Sequence, residues 1–260
     1  MKTPLVKIDF WSIYHKSGRR LLLPHRMAQC TPDTQKALAA IKSDLEAKGG
    51  NLYLSDLFRT YDMQLQAHLD YETGKKPAYS PPPGGSLHEA GRAFDLDLES
   101  IKIPLKDLWE IAAKHGCNPI IKTPDSSAKE AWHFDCRGSH QIVYDYYASG
   151  KGSNLTSPYK AMAASAILAI GIKVDKFDGK KKEASIQSGL IRLGYDDIGN
   201  VDGLIGSRTN SALEQAGISS SDVDDILLEI ENLLQQKFPQ EYQISVADNE
   251  EVELPSHLIG

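Results

Sequence analysis

The sequence predicts an α+β fold, in which a small antiparallel sheet with flanking helices is followed by a small all-α domain. Two stretches, 93–99 and 132–135, alternate apolar and polar residues as strands do. A polar joint at 179–183 separates them from a region whose apolar residues recur only at helical spacing. We therefore place a first domain at residues 1–175 and a helical second domain at residues 176–260.

The composition excludes several classes of partner. With 41% hydrophobic and 25% charged residues, the 260-residue chain is ordinary for a globular protein. Its net charge of −6 shows no basic excess, so we expect no nucleic-acid partner. The longest apolar run, 161–172, is too short for a membrane span. Because Lys7 and Asp9 interrupt the N-terminus, we expect synthesis in the cytoplasm without a signal peptide.

The elements before the first chemical motif follow from local signals. Residues 1–30 show no clear periodicity. A helix is predicted over 31–48, with a proline in its first turn and two glycines after its end. A strand is predicted over 52–57 and a helix over 62–71. The Pro-rich segment 74–85 cannot be regular, so it is expected to form a loop beside a cleft.

The rest of the first domain is predicted as a helix and a hairpin. The helix covers 104–115, and two strands cover 118–123 and 130–136. In a hairpin that pairs residue 119 with residue 134, Cys117 lies opposite Cys136. Directly opposed β-carbons are about 4.5–5.5 Å apart, near enough for a disulfide after small adjustment. Since there are three cysteines without zinc-binding spacing, at most one disulfide can form within the chain.

The chain from residue 158 onward is predicted from helical patterns. The Ala-rich segment 158–170 is apolar on most faces, so it is expected to pack against the first domain or between the domains. A helix over 186–194 is followed by an Asp-Gly turn and a helix capped by Ser207. A last helix covers 221–238, and an acidic tail begins at Asp248.

Four side chains in two short motifs can support metal chemistry. His88, Asp95 and His133 offer nitrogen and oxygen ligands, and three protein ligands leave an open position, as in catalytic rather than structural zinc sites. Glu130 precedes a ligand by three residues and can act as a general base. His88 is expected in a glycine-flanked loop that feeds a strand, where Asp95 points away from the buried face. Glu130 is expected just before the second strand.

Two alternative interpretations of the histidines were considered. His88-Glu89 begins like a helical HExxH zinc site, but Arg92 occupies the position of the second histidine, which excludes that motif. His88 and His133 are otherwise explained as buried, hydrogen-bonded histidines. Three further histidines are expected to be ordinary surface or core residues: His68, His115 and His140.

The first region resembles the zinc D-alanyl-D-alanine peptidases of the VanX and VanY type, whose metal-site architecture is shared with lysostaphin and the hedgehog signalling domain. Their pattern SxHxxGxAxD followed by ExxH is matched by Ser86, His88, Gly91, Ala93, Asp95, Glu130 and His133. The resemblance implies zinc bound by His88, Asp95 and His133. It implies Glu130 as catalytic base and Arg59 as the residue that binds substrate or stabilises the transition state. Ser86 is expected to hydrogen-bond the substrate or a ligand.

The second domain resembles the small helical peptidoglycan-binding domain. The pattern Q-x-x-L-x-x-L-G-Y followed by D-G-x-x-G-x-x-T is matched by Gln187, Leu190, Leu193, Gly194, Tyr195, Asp202, Gly203, Gly206 and Thr209. This resemblance implies peptidoglycan as a partner. Because the two motif regions are separate in the chain, catalysis and wall targeting are expected to be separable by truncation near Gly179.

Together these resemblances imply a zinc metallopeptidase that hydrolyses peptide bonds next to D-amino acids in bacterial peptidoglycan. It would be a phage lysin or a secreted antibacterial wall hydrolase, which acts in the periplasm or cell wall and depends on a holin or a secretion machine for export. One alternative is a D-alanyl-D-alanine carboxypeptidase that trims stem peptides. An alternative of another class is a non-catalytic zinc-containing wall-binding protein.

Overall fold

The structure is a computed structural model that describes residues 2–244, so the predicted acidic tail from Asp248 lies outside the described residues. Its strands are β1 (Val6–Lys7), β2 (Trp11–Lys16), β3 (Arg19–Leu22), β4 (Gln29–Cys30), β5 (Leu54–Asp56), β6 (Ala93–Leu96), β7 (Cys117–Pro119) and β8 (His133–Cys136). Its α-helices are α1 (Pro32–Glu46), α2 (Tyr61–Glu72), α3 (Leu105–Lys114), α4 (Gln141–Ala148), α5 (Pro158–Ala169), α6 (Lys181–Leu193), α7 (Ser207–Gln215) and α8 (Val223–Lys237). The fold is therefore mixed α+β, as predicted.

The main sheet has the order β3-β2-β5-β6-β8-β7. Its β2–β5 pair is parallel, with Ser12 opposite Leu54, so the prediction of a purely antiparallel sheet was wrong. The parallel strand comes from the first 30 residues, where no element was predicted. A register shift between Trp11 and His15 interrupts the β2–β3 pairing. Most β2 side chains are also exposed, so the strand lacks the alternation of buried apolar and exposed polar residues from which a strand is predicted.

The predicted helices before the motifs are confirmed within two residues at most ends, and the hairpin register is confirmed as well. Pro119 pairs with Phe134, and Cys117 lies opposite Cys136. No disulfide joins Cys117 and Cys136. Strand β7 is shorter than predicted because it ends at Pro119, which has no backbone N–H to continue the ladder.

Strand β6 is buried on both faces, which corrects the expectation that Asp95 would lie on an open face. Ala93 belongs to an apolar core shared with the C-terminal helices, whereas Phe94 and Leu96 belong to a second core shared with α1 and α3. The Ala-rich helix α5 is almost completely buried in the first of these cores. The side of β6 that carries Asp95 is therefore covered by helical structure.

The same core crosses the boundary that the sequence predicts between residues 175 and 176. It includes Leu87 near the first motif, Ile167 in α5 and Ile230 in α8. The position of the domain boundary therefore stays a prediction. Gly206 occupies the N-cap position of helix α7, which corrects the predicted Ser207 cap.

Charged side chains from distant parts of the chain meet in the interior. We call Asp33, Arg92, Arg192 and Glu241 the buried ion cluster. Arg92 is 2.7 Å from Asp33 and 3.3 Å from Glu241, and Arg192 is 2.7 Å from Glu241. Arg92 and Glu241 have no exposed surface. Because Arg92 lies in the chain between His88 and Asp95, the cluster connects the motif region to the C-terminal end of the described chain.

Among residues 2–244, no helix is both long and apolar enough to cross a bilayer.

Candidate metal centre

The side chain of His88 is placed by a short 3₁₀ turn, Leu87–Ala90, rather than by the irregular loop expected. Ser86 begins this turn, and its hydroxyl accepts a hydrogen bond from the His88 backbone N–H at 3.3 Å. Gly91 ends the turn in the left-handed conformation, with φ of 63°. The backbone then reverses into β6, which carries Asp95.

The two strand residues are adjacent across the sheet. Asp95 on β6 pairs directly with His133 at the start of β8. His133 Nδ1 lies 2.8 Å from Asp95 Oδ1, and His88 Nε2 lies 3.3 Å from the same oxygen. One ligand atom from each of the three residues lies within 4.8 Å of the other two. The structure thus brings together the three side chains that the sequence selected as metal ligands.

The donor set fits a zinc ion. Leu57 O lies 2.7 Å from His88 Nδ1, so this ring nitrogen is the protonated donor and Nε2 keeps a lone pair. His88 Nε2 is buried and has no hydrogen-bond partner. A buried polar atom without a partner is costly, and a cation between the three ligand atoms would satisfy it. Two imidazoles and one carboxylate with an open position form a donor set typical of catalytic zinc.

The charges of the cluster are strongly coupled. Burial opposes ionisation of Asp95, but the nearby His88 and His133 outweigh it and lower the pKa of Asp95 well below its usual range. Burial also opposes protonation of His133, yet hydrogen bonds to Asp135 and Asp95 raise its pKa to about 10. The two carboxyl groups beside the ring therefore favour the protonated form of His133 over the neutral form.

Glu130 lies just before β8, as predicted, and beside the ligands. Its φ of 67° is unusual for a residue other than glycine and turns the side chain toward the cleft that His133 also lines. Glu130 Oε1 is buried and has no hydrogen-bond partner. Burial raises the pKa of Glu130, and the negative charge of Asp95 adds to this effect. A carboxylate with a raised pKa and no internal partner is suited to exchange a proton with a bound molecule.

Arg59 also reaches the cluster. Its Nε donates to Asp56 Oδ2 at 2.6 Å, its Nη1 donates to Gln64 Oε1 at 3.2 Å, and its Nη2 lies 3.6 Å from Asp95 Oδ2. The guanidinium is thereby held in one orientation. The sequence predicted Arg59 but not Asp56 or Gln64, because no spacing rule connects them to the motif.

These side chains line a cleft of about 540 Å³. Its walls combine aromatic, basic and polar residues, among them Tyr14, Asp56, Lys76, Tyr79, Ser86, Ile120, Trp132, Tyr159 and Lys160. The Pro-rich segment lies beside this cleft, as predicted. Gln64 Nε2 donates to Ser80 Oγ at 2.9 Å and to Pro81 O at 2.6 Å, which ties that segment to α2.

Glu89, which follows His88 in the rejected HExxH motif, binds the backbone of the neighbouring segment. Its carboxylate accepts hydrogen bonds from the backbone N–H groups of Gly84 and Ser86. Burial raises the pKa of Glu89 to about 7. Glu89 therefore holds the end of the Pro-rich segment against the turn that carries His88.

Two residues near the metal centre were missed by sequence reasoning. Asp135 Oδ1 lies 3.0 Å from His133 Nε2, and the Tyr159 hydroxyl donates to the same oxygen at 3.1 Å. Burial raises the pKa of Tyr159, which keeps its hydroxyl protonated. Asp135 had a weak signal, since residues two apart on a strand share a face. Tyr159 had none, because it belongs to a helix beyond the motifs.

The three further histidines that were expected to be ordinary surface or core residues form hydrogen bonds outside the metal cluster. His68 Nδ1 lies 2.8 Å from Ser80 O, His115 Nε2 lies 2.8 Å from Asp44 Oδ2, and His140 Nδ1 lies 2.8 Å from Ser165 Oγ.

Three residues of the peptidoglycan-binding pattern, Gln187, Asp202 and Gly203, are joined by hydrogen bonds. Gln187 is buried; its Nε2 donates to Asp202 Oδ1 and its Oε1 accepts from the backbone N–H groups of Asp202 and Gly203. Thr209 is also buried, and Tyr195 packs against the core. These contacts explain the pattern as a folding requirement, and contact of these residues with the wall stays a prediction.

Comparison with known proteins gives limited further information. No family model and no curated protein matches the chain. Similar solved structures include the LdcB LD-carboxypeptidase, described in connection with peptidoglycan recognition, at 20% identity over 50% of this chain and 66% of that one, with a TM-score of 0.38. DacB from Streptococcus pneumoniae D39 is 24% identical over 55% of this chain and 88% of that one, with a TM-score of 0.35. An L,D-carboxypeptidase DacB from Streptococcus pneumoniae is 22% identical over 56% of this chain and 91% of that one, with a TM-score of 0.35. Because these TM-scores are all below 0.5, the similarity assigns no chemistry to this chain.

Proposed function

We propose that this protein is a zinc-dependent peptidase that hydrolyses peptide bonds next to D-amino acids in peptidoglycan. The observation that carries the proposal is the cluster of His88, Asp95 and His133 ligand atoms, all within 4.8 Å of one another. The cluster lies on a cleft that Glu130 and Arg59 also line. Metal-assisted amide hydrolysis needs metal ligands, a general base and a group that stabilises negative charge. Glu130 can be the base because its Oε1 has no hydrogen-bond partner, and Arg59 is a cation held in one orientation.

The chain's own residues have distinct roles in this proposal. Zinc, when bound, supplies Lewis acidity and lowers the pKa of a coordinated water to about 7. His88, Asp95 and His133 hold the ion. Glu130 takes the proton from the attacking water and delivers it to the leaving amine, for which its raised pKa is favourable. Arg59 stabilises a substrate carboxylate or the developing oxyanion.

The choice of substrate rests on the two sequence resemblances. The motif around His88 and His133 resembles peptidases that act beside D-alanine, and the pattern around Gln187 resembles a peptidoglycan-binding domain. We propose peptidoglycan as the partner on this basis, with release as a phage lysin or secreted wall hydrolase in the periplasm or cell wall. In the alternative of a carboxypeptidase, Arg59 would bind the terminal carboxylate of a stem peptide.

The test is hydrolysis of purified sacculi with mass spectrometry of the released muropeptides. The Glu130→Ala variant is expected to lose hydrolysis and to retain about one zinc ion per chain, because Glu130 is a base and not a ligand. The Glu110→Ala variant removes an exposed carboxylate on α3 and serves as the matched control. Full hydrolysis by Glu130→Ala would exclude the assigned base. A zinc-loaded native protein that binds sacculi without cleaving them would instead support the non-catalytic alternative.

A further inference from the structure

The two ring nitrogens of His133 face different carboxylates. Nδ1 lies 2.8 Å from Asp95 Oδ1, inside the metal cluster, whereas Nε2 lies 3.0 Å from Asp135 Oδ1 outside it. A neutral imidazole that binds a metal through one nitrogen carries its proton on the other. The location of that single proton therefore decides whether His133 presents a lone pair to the metal.

The surroundings of Asp135 keep it available as an acceptor for the Nε2 proton. Asp135 has no exposed surface. The Tyr159 hydroxyl donates to Asp135 Oδ1 at 3.1 Å, and Arg137 Nε lies 3.5 Å from Asp135 Oδ2. The hydrogen bond from Tyr159 holds the Asp135 carboxyl group in the orientation that places Oδ1 beside His133 Nε2. A carboxyl oxygen held 3.0 Å from Nε2 can accept a hydrogen bond from it, which favours the tautomer with its proton on Nε2.

We propose that Asp135 and Tyr159 are positioning residues that fix His133 in its zinc-binding tautomer. The inference rests on the proposed zinc site. Asp135 acts on the ring of His133 directly, and Tyr159 acts by holding Asp135. Tyr159 is the second residue of α5, so a helix that follows the two metal motifs completes the metal centre. Partners that orient a ligating histidine contribute about 10–100-fold to metal affinity.

The test is zinc affinity, measured by competition with a chelator at one fixed neutral pH. Asp135→Ala is expected to weaken zinc binding by about 10–100-fold. Asp135→Asn keeps an oxygen that can accept from Nε2, so it is expected to lose less affinity than Asp135→Ala. Tyr159→Phe leaves Asp135 in place and is expected to show the smallest loss of the three.

Two matched controls separate this role from general destabilisation. Tyr147→Phe removes a tyrosine hydroxyl that donates to Asn154 Oδ1 at 2.8 Å, and Asp44→Ala removes the carboxylate beside His115. Neither touches the metal cluster, so both are expected to bind zinc as tightly as the unsubstituted protein. Circular dichroism of every variant checks that it folds.

Nitrogen-15 NMR of the histidine rings supplies a readout that a purely structural role would not change. The zinc-loaded protein is expected to show His133 protonated at Nε2, and Tyr159→Phe is expected to shift that nitrogen resonance. If folded Asp135→Ala and Tyr159→Phe both bind zinc as tightly as the unsubstituted protein, the positioning role is wrong although the zinc site stands. If the unsubstituted protein binds no zinc, the proposed function itself fails.

Discussion

Gly91 combines two constraints at a single α-carbon. Its φ of 63° lies in the left-handed region, which costs an L-residue roughly 1–2 kcal/mol. A β-carbon at this position would also lie 2.8 Å from Cys30 Cα and 2.9 Å from Leu5 Cδ2. Gly91→Ala is therefore expected to lower the free energy of unfolding by more than the backbone strain alone. Urea unfolding measures the loss.

Gly116 offers the matched control for this prediction. It has φ of 77°, and a β-carbon there would meet no heavy atom within 4 Å. Gly116→Ala is expected to cost only the strain, roughly 1–2 kcal/mol. Equal losses in the two variants would show that the close approach of Gly91 to Cys30 is not a constraint.

Cys117 is expected to be unreactive in the folded protein. Its hydrogen bond to Cys136 and its burial raise its pKa, so the thiolate is scarce at neutral pH. A thiol reagent should modify Cys117 slowly under native conditions and rapidly in denaturant, as read by mass spectrometry of peptides. Rapid native modification would show that the β7–β8 hairpin opens easily.

The sequence predicted the site residues that motif spacing connects, and it gave only a weak indication of Asp135 and none of Tyr159. His88, Asp95, His133 and Glu130 share two short segments with a recognisable order. Tyr159 reaches the site only through the packing of α5, and such packing has no fixed sequence separation.

Helices α6 and α8 show how one small residue sets an interhelical contact. Gly189 is buried in α6, and a β-carbon there would overlap Ile230 Cγ2 on α8. Alanine ordinarily stabilises a helix interior by about 0.8–1.0 kcal/mol relative to glycine. Here we expect the opposite, a net destabilisation, because overpacking costs typically about 1–3 kcal/mol. Thermal unfolding of Gly189→Ala measures the sign.

A double-mutant cycle tests the cause. Ile230→Ala alone should destabilise by creating a cavity, but it removes the Cγ2 atom that Gly189→Ala would meet. The double variant is therefore expected to be more stable than the sum of the two losses predicts. Strict additivity would mean that α6 and α8 adjust freely.

The elements differ in how well local patterns predict them. Helices α1 and α3 bury a stripe that recurs at helical spacing, and both were predicted. Strand β2 pairs in parallel with β5, which is far away in the chain, while its own side chains are largely exposed. Pairing with β5 determines that this segment is a strand, so its own sequence gives little indication of strand structure.

The buried ion cluster joins the metal motifs to the C-terminal helices of the molecule. Arg92 Nη1 also donates to Cys136 O at 3.1 Å, at the end of the strand that carries His133. Removing one partner of a buried ion pair costs about 3–5 kcal/mol, because the other charge is left uncompensated. Glu241→Gln is therefore expected to destabilise the whole protein in urea unfolding. Glu229→Gln, on the exposed face of α8, should leave stability nearly unchanged.

The same cluster changes the expected result of truncation near Gly179. Sequence patterns alone suggested that the first domain would hydrolyse a soluble stem peptide without the second. In the structure, that truncation removes Arg192 and Glu241 and exposes the core around α5. We now expect the shortened chain to fold poorly, as read by circular dichroism and zinc content. A folded, zinc-binding truncation would restore the modular interpretation.

The position of Glu241 near the end of the described chain determines when the buried ion cluster can form during synthesis. Arg92 leaves the ribosome 149 residues before its partner Glu241 does, as the residue numbers show. At roughly 5–20 residues per second, that delay is about 7–30 s. Throughout this interval Arg92 can pair with Asp33, but the second carboxylate of its ion cluster has not been made. The buried ion cluster is therefore completed late, when nearly the whole described chain has emerged.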